Sequence, residues 1–160
     1  MNPQRTAAIV IASTRAAAGV YEDECAPLIQ QWLADRGFPV QRALVVPDGD
    51  AVGEAIARCL EGNPSVLLTS GGTGLSPDDV TPEQTEPFLT RPLPGIMEAV
   101  RRAGSSVTPM AALSRGHAGA AGTTFIINLP GSPGGVRDGL AVLEPILDHI
   151  CAQLEGNHEH

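Results

Sequence analysis

The sequence predicts an α/β domain of three layers, a mostly parallel central sheet between helices. Three observations carry that prediction. Apolar runs of strand length alternate with stretches whose apolar residues recur at helical spacing. The runs are nearly continuous rather than alternating, as in strands covered on both faces. Four of them end in glycine, proline or small polar residues: Ser13-Thr14-Arg15, Pro47-Asp48, Ser70 to Gly74, and Asn128 to Ser132. In a parallel sheet those endings share one edge, and open α/β sheets bind ligands beyond the carboxyl ends of their strands.

Thr6 to Ser13 (TAAIVIAS) reads as the first strand. A helix follows over 23–36, with Cys25, Leu28, Ile29, Trp32 and Leu33 on one stripe and Gly37 as its stop. Pro27 fits it only near the start. Val40 to Val46 is the second strand, closed by Pro47, Asp48 and Gly49. Asp50 is expected to cap the next helix, which turns Val52, Ala55, Ile56, Cys59 and Leu60 inward until Gly62, Asn63 and Pro64 break it. Val66 to Thr69 is the third strand. Thr81 is read as the cap of a helix whose first turn holds Pro82 and Glu83. Three prolines, Pro87, Pro92 and Pro94, leave room for short elements only, before a helix over 94–103 that Gly104 stops. The stretch 107–121, rich in small residues and glycine, reads as irregular or short-strand. A clear strand spans 123–129. Ser132 and Pro133 then open a last helix, which Pro145 should kink or split and Gly156 should end. The pattern predicts a single domain over 1–160, with a frayed tail from about residue 155.

Composition narrows the function. The chain has 160 residues, net charge −8 and 3% aromatic residues, which argues against a nucleic-acid binder with its basic surface and stacking platforms. No apolar run nears the ~20 residues of a membrane span, and a cytoplasmic protein is expected. All ten basic residues are Arg. Without Lys there is no Walker-type phosphate loop and no lysine Schiff base. Cys25, Cys59 and Cys151 are far apart and suit apolar positions, so neither a disulfide nor a zinc site is expected. His158 and His160 belong to the polar tail.

The stretch Val66 to Glu83 (VLLTSGGTGLSPDDVTPE) concentrates the chemistry. Glycines at 71, 72 and 74 allow positive φ and bring bare N–H groups to a ligand. Asp48 and Asp79, from different loops, are candidates for holding a divalent cation on a ligand's phosphates. Ser132 opens a helix N-terminus, a ready anion site. Arg15 and Arg115 are candidates for phosphate contact. Asn128, at a strand end, is placed to bond a polar ring or pin the glycine loop. No serine among Ser70, Ser76, Ser105 and Ser114 has a recognisable base partner, and His117 is isolated.

On these residues the chain resembles a known family. TSGGTGLSPDDVTPE resembles the TTGGTG…DVTPE signature of the MogA/MoaB family, which includes the gephyrin and plant Cnx G domains; INLPGSPGGV resembles its NLPGxPxxV loop. VPD at Val46 to Asp48, PGIMEAVR at Pro94 to Arg101 and ALSRGHAG at Ala112 to Gly119 extend the match over nearly the whole chain. The fold also occurs in MoeA-type proteins and in a competence-damage-inducible family; GGTG followed by DxTPE favours the MogA type.

The resemblance implies a molybdopterin adenylyltransferase that moves AMP from Mg-ATP to molybdopterin and releases pyrophosphate. It implies catalytic, metal-holding roles for Asp48 and Asp79, and nucleotide binding by Gly71, Gly72, Thr73 and Gly74. Molybdopterin contacts would fall to Ser13, Arg15, Ser114, Asn128, Gly131 and Ser132. It further implies Mg²⁺ with ATP as co-substrate, no tightly bound organic cofactor, a homotrimer, and a molybdenum-insertion enzyme as possible partner. Thr14 stands where the family commonly has Asp, and Asp78 where it commonly has Arg. The alternatives on this fold are a non-catalytic molybdopterin-binding paralogue or scaffold, and a pyridine-nucleotide deamidase or hydrolase.

Overall fold

The computed structural model describes residues 4–157. Six strands form one sheet in the order β2-β1-β3-β6-β5-β4. They are β1 (Ala7–Ala12), β2 (Val40–Val46), β3 (Val66–Ser70), β4 (Arg91–Pro92), β5 (Ala118–Ala121) and β6 (Thr124–Leu129). β1 pairs in parallel with β2 and β3, and β3 with β6. These are the four strands that the apolar runs predict. Every residue of β1, β3 and β6 is buried, which is why their sequences show no polar alternation.

Alternate residues face two cores. Ile9, Ile11, Val66, Leu68, Phe125 and Ile127 pack against α2 (Cys25–Asp35), α5 (Pro94–Ser105), α6 (Pro133–Leu143) and α7 (Leu147–Leu154). Ala8, Val10, Leu67 and Ile126 face α3 (Asp50–Glu61). Helices thus cover both faces, completing the three-layer α/β fold. All three cysteines are free and buried; burial pushes the Cys151 thiol up to about 11.

Two strands escape the apolar pattern. β5 and β4 run antiparallel to their neighbours β6 and β5. Ala121 pairs with Thr124, so a two-residue loop joins β5 to β6. Gly122 takes its first position at φ 61°, the geometry that a tight hairpin requires. Pro145 divides the last helix into α6 and α7 as expected, and Ser132 caps α6 by accepting from the Gly135 N–H at 3.1 Å.

Three boundaries differ from expectation. Gly49, not Asp50, precedes α3, and Asp50 is its first residue. Thr81 is the first residue of the short α4 (Thr81–Thr85), not its cap, and its side-chain oxygen is buried without a partner. Gly104 lies inside α5, where a Cβ would sit 2.7 Å from the Ala111 Cβ. Close packing, not helix termination, explains that glycine. At the C-terminus, Glu155 bonds to Arg5 at 2.8 Å and the Asn157 N–H to the Ala152 carbonyl at 2.9 Å, so residues 155–157 are held. The rest of the expected tail lies outside the described residues.

Candidate functional site

The chain passes from β1 through α2 to β2 on one side, then through α3 back across β1 to β3. The strand order therefore reverses between β1 and β3, the place where such sheets open a crevice. A cleft of about 320 Å³ lies there. Its walls come from the ends of β1 and β3, the Asp48 turn, the Asp78-Asp79 loop and Gly131. Loops as far apart in sequence as Ser13 and Gly131 thus meet because their strands lie side by side in the parallel part of the sheet.

At the β1 end, Ser13 caps the one-turn helix α1 (Thr14–Ala17) by accepting from the Ala16 N–H at 3.1 Å. Arg15 is exposed on that turn, its guanidinium 5.8 Å from the centre of the Tyr21 ring. Both line the cleft.

Asp48 is fixed by Thr14. Its Oδ2 accepts from the Thr14 N–H at 3.2 Å and from the Thr14 hydroxyl at 3.1 Å, while the Asp48 N–H donates back to that hydroxyl oxygen at 3.1 Å. The reciprocal pair locks the side chain and leaves Oδ1 beside Gly72. A Cβ built on Gly72 would lie 3.1 Å from Oδ1. Asp79 approaches the same loop at Gly74. Its Oδ2 accepts from the Ser76 N–H at 3.1 Å and lies 2.8 Å from a Cβ built on Gly74. The two carboxylates therefore flank one glycine loop and line one cleft.

The glycines are required at this loop. Gly71 has φ 95°, and a Cβ there would be 2.3 Å from the Ala12 carbonyl oxygen; Gly72 has φ 68°. Not every donor of the loop is available, however. The Gly71 N–H is committed to the Leu129 carbonyl at 3.2 Å. Thr73 is buried and, like Gly74, lies outside the cleft wall.

Arg115 departs from its expected role. Its Nε donates to the Gly74 carbonyl at 2.9 Å, Nη2 to the Asp79 carbonyl at 2.7 Å, and Nη1 to Glu83 at 2.8 Å. Its own N–H donates to the Thr73 carbonyl at 2.9 Å. It is a clamp on the loop that carries Asp79, and it does not reach into the cleft. The bond to Arg115 holds the Glu83 carboxyl below the usual carboxylate range.

Asn128 also turns away from the cleft. It is fully buried, donates to the Thr69 and Thr85 hydroxyls at 2.9 and 3.0 Å, and accepts from the His117 N–H at 2.9 Å. Those bonds use the donors and the acceptor of its amide to tie β6, β3 and α4 together. Ser114 and Ser132 do not line the cleft, whereas Gly131 does. The cleft also includes Tyr21, Asp23, Cys25, Ser70 and Asp78. Asp23 caps α2 through the Cys25 and Ala26 N–H groups at 3.1 and 2.8 Å; an acidic residue just ahead of an apolar helical stripe was its sequence signal. Burial raises the pKa of the Cys25 thiol, in part offset by a hydrogen bond with Ser70.

Among the described residues no group of three or more His, Cys, Asp or Glu gathers to hold a metal. The donor set is instead two carboxylates, each with one oxygen held by the protein. That fits Mg²⁺, which takes one or two carboxylates and completes its shell with substrate phosphates and water.

Comparison with known proteins agrees with this architecture. Residues 8–149 match the family described as "Probable molybdopterin binding domain". The structure superimposes on the molybdopterin biosynthesis Mog protein from Mycobacterium ulcerans with a TM-score of 0.90 at 54% identity, covering 94% of this chain and 99% of that one. A molybdenum cofactor biosynthesis bifunctional protein of Synechococcus elongatus is 43% identical over 94% of this chain, and the match spans 47% of that relative. The chain thus spans about half the length of the first curated relatives it matches. A molybdopterin adenylyltransferase of Helicobacter pylori is 32% identical, with 94% of this chain and 88% of that protein aligned. Parallel-sheet topology, a glycine loop between two carboxylates and a match over most of the sequence lead to one statement: the chain belongs to the molybdopterin-binding domain family, in the company of the Mog and MoaB proteins.

Proposed function

We propose that this protein is a molybdopterin adenylyltransferase of molybdenum cofactor biosynthesis, transferring AMP from Mg-ATP to the terminal phosphate of molybdopterin. An oxygen of the pterin phosphate attacks the α-phosphorus of ATP, the bond to the β-phosphate oxygen breaks, and pyrophosphate leaves. The nucleophile belongs to the substrate, so the protein's work is positioning and charge neutralisation. Mg²⁺, when bound, neutralises the polyphosphate and polarises its oxygens. Asp48 and Asp79, both on the cleft wall, would hold that ion. The loop, through Gly72 on the cleft wall, supplies a backbone N–H to the nucleotide phosphates. Ser13 and Arg15, with Gly131 opposite, bind the pterin end.

The observation that carries this reading is the placement of both carboxylates against one glycine loop, in one cleft, at the reversal of strand order. The name of the Helicobacter pylori relative supports the substrate. Asp48→Ala and Asp79→Ala should each abolish Mg²⁺-dependent pyrophosphate release from ATP while molybdopterin still binds. Full turnover in Asp79→Ala would overturn the assignment.

The same reading includes a homotrimer. Val107, Met110 and Leu113, on the segment after α5, and Leu75, on the clamped loop, expose apolar side chains, with Val107 at 76% and Met110 at 64%; burial between copies would remove that surface from water. We place the protein in the cytoplasm, where ATP is supplied, upstream of an enzyme that inserts molybdenum. No helix among the described residues is long and apolar enough to cross a membrane.

A further inference from the structure

A second cavity lies on the same edge of the sheet. It shares no lining residue with the main cleft. Its volume is about 220 Å³, and Arg101, Arg115 and His117 line it. The remaining lining residues, among them Met97 and Pro94, are apolar or glycine, and no carboxylate is present. Arg115 is paired with the Glu83 carboxylate at 2.8 Å, so in a chain of net charge −8 Arg101 is the positive charge of this cavity that no carboxylate among the described residues neutralises. We propose that this cavity is a second anion site, distinct from the main cleft, which takes a small phosphate-type anion.

Three further observations support the assignment. Arg101 donates only a long bond of 3.3 Å to the Ser114 carbonyl and makes no ion pair among the described residues. A guanidinium has five N–H donors, so most of its capacity faces no protein acceptor. Arg115 commits three donors to the loop and keeps two. Pro94 is the first residue of the twelve-residue α5, which sets the positive end of that helix at the cavity mouth.

Size limits the occupant. The cavity is smaller than the roughly 300–1,000 Å³ of pockets that enclose drug-sized ligands, and arginine forks match phosphate oxygens in pairs. The anion has two possible sources, a free inorganic anion or the phosphate of a nucleotide.

The test uses neither magnesium nor molybdopterin, so its outcome is independent of the transferase reading. Orthophosphate, pyrophosphate and AMP are titrated separately into the full chain, and the ring resonances of His117, assigned by loss in His117→Gln, are followed by NMR. A saturable shift that Arg101→Gln abolishes and Arg15→Gln, in the main cleft, retains is the expected result. Arg101→Lys, keeping the charge but not the fork, should weaken binding several-fold. A response to the inorganic anions identifies a free anion as occupant, and a response to AMP alone identifies a nucleotide phosphate. No shift with any of the three, or a shift that survives in Arg101→Gln, overturns the proposal. Retained chemical-shift dispersion in Arg101→Gln shows that the variant is folded.

Discussion

Thr14 illustrates how one side chain sets the geometry of another. Its hydroxyl donates to Asp48 Oδ2 and accepts from the Asp48 N–H, while its own N–H makes a second bond to the same carboxylate oxygen. Only Oδ1 remains for a cation. Removing a partner that orients a metal-holding group typically costs about 10–100-fold in activity. Thr14→Val should therefore lower kcat for adenylyl transfer by roughly tenfold, with a raised requirement for Mg²⁺, and Thr14→Ser should restore both. A loss in Thr14→Val that Thr14→Ser does not repair would mean that the methyl, not the hydroxyl, matters. The role was hidden in the sequence because Thr14 and Asp48 lie in loops of different strands. By contrast, Asp48 and Asp79 were legible as candidates, since each follows a strand in a stretch of turn residues. Asn128 carried two readings, a bond to a polar ring or a pin on the glycine loop, and sequence could not choose between them because its partners Thr69 and Thr85 lie on other elements.

At the scale of elements, the loop from Gly74 to Glu83 keeps its shape through Arg115, which bonds two of its main-chain carbonyls and the Glu83 carboxylate. The folded Glu83 carboxyl titrates below its unfolded value. The pair therefore stabilises the protein above the usual glutamate range, and the contribution is lost as pH falls through the folded value. Denaturant melts of Glu83→Gln should match the wild type near pH 3 and fall below it near pH 7, by well under ~1 kcal/mol because the pair is half-exposed. Equal differences at both pH values would remove the ion pair from the account. The apolar strands β1, β3 and β6 could be read directly because burial on both faces writes itself as an unbroken run. β4 and β5 could not. Arg-Pro and Ala-Gly-Ala-Ala carry no period, and their place is set by pairing onto β6 through the hairpin at Gly122.

For the molecule as a whole, the exposed Val107, Met110, Leu113 and Leu75 bear on assembly. Met110→Glu should shift the mass measured by light scattering from trimer toward monomer, with the fold unchanged by circular dichroism. An unaltered mass would place the contact between copies elsewhere. The sheet itself has unequal flanks. On one side it closes with β4, two residues of which one is a proline without an N–H. On the other lies β2, seven residues long, with Gln41, Ala43 and Val45 exposed and an outer edge that no strand among the described residues pairs. Growth of the sheet by an added strand, in a partly opened state or a crowded solution, is thus blocked at one flank and permitted at the other. The hazard of edge-to-edge aggregation is directional, and a charged substitution along β2 is the protective change to which it would respond.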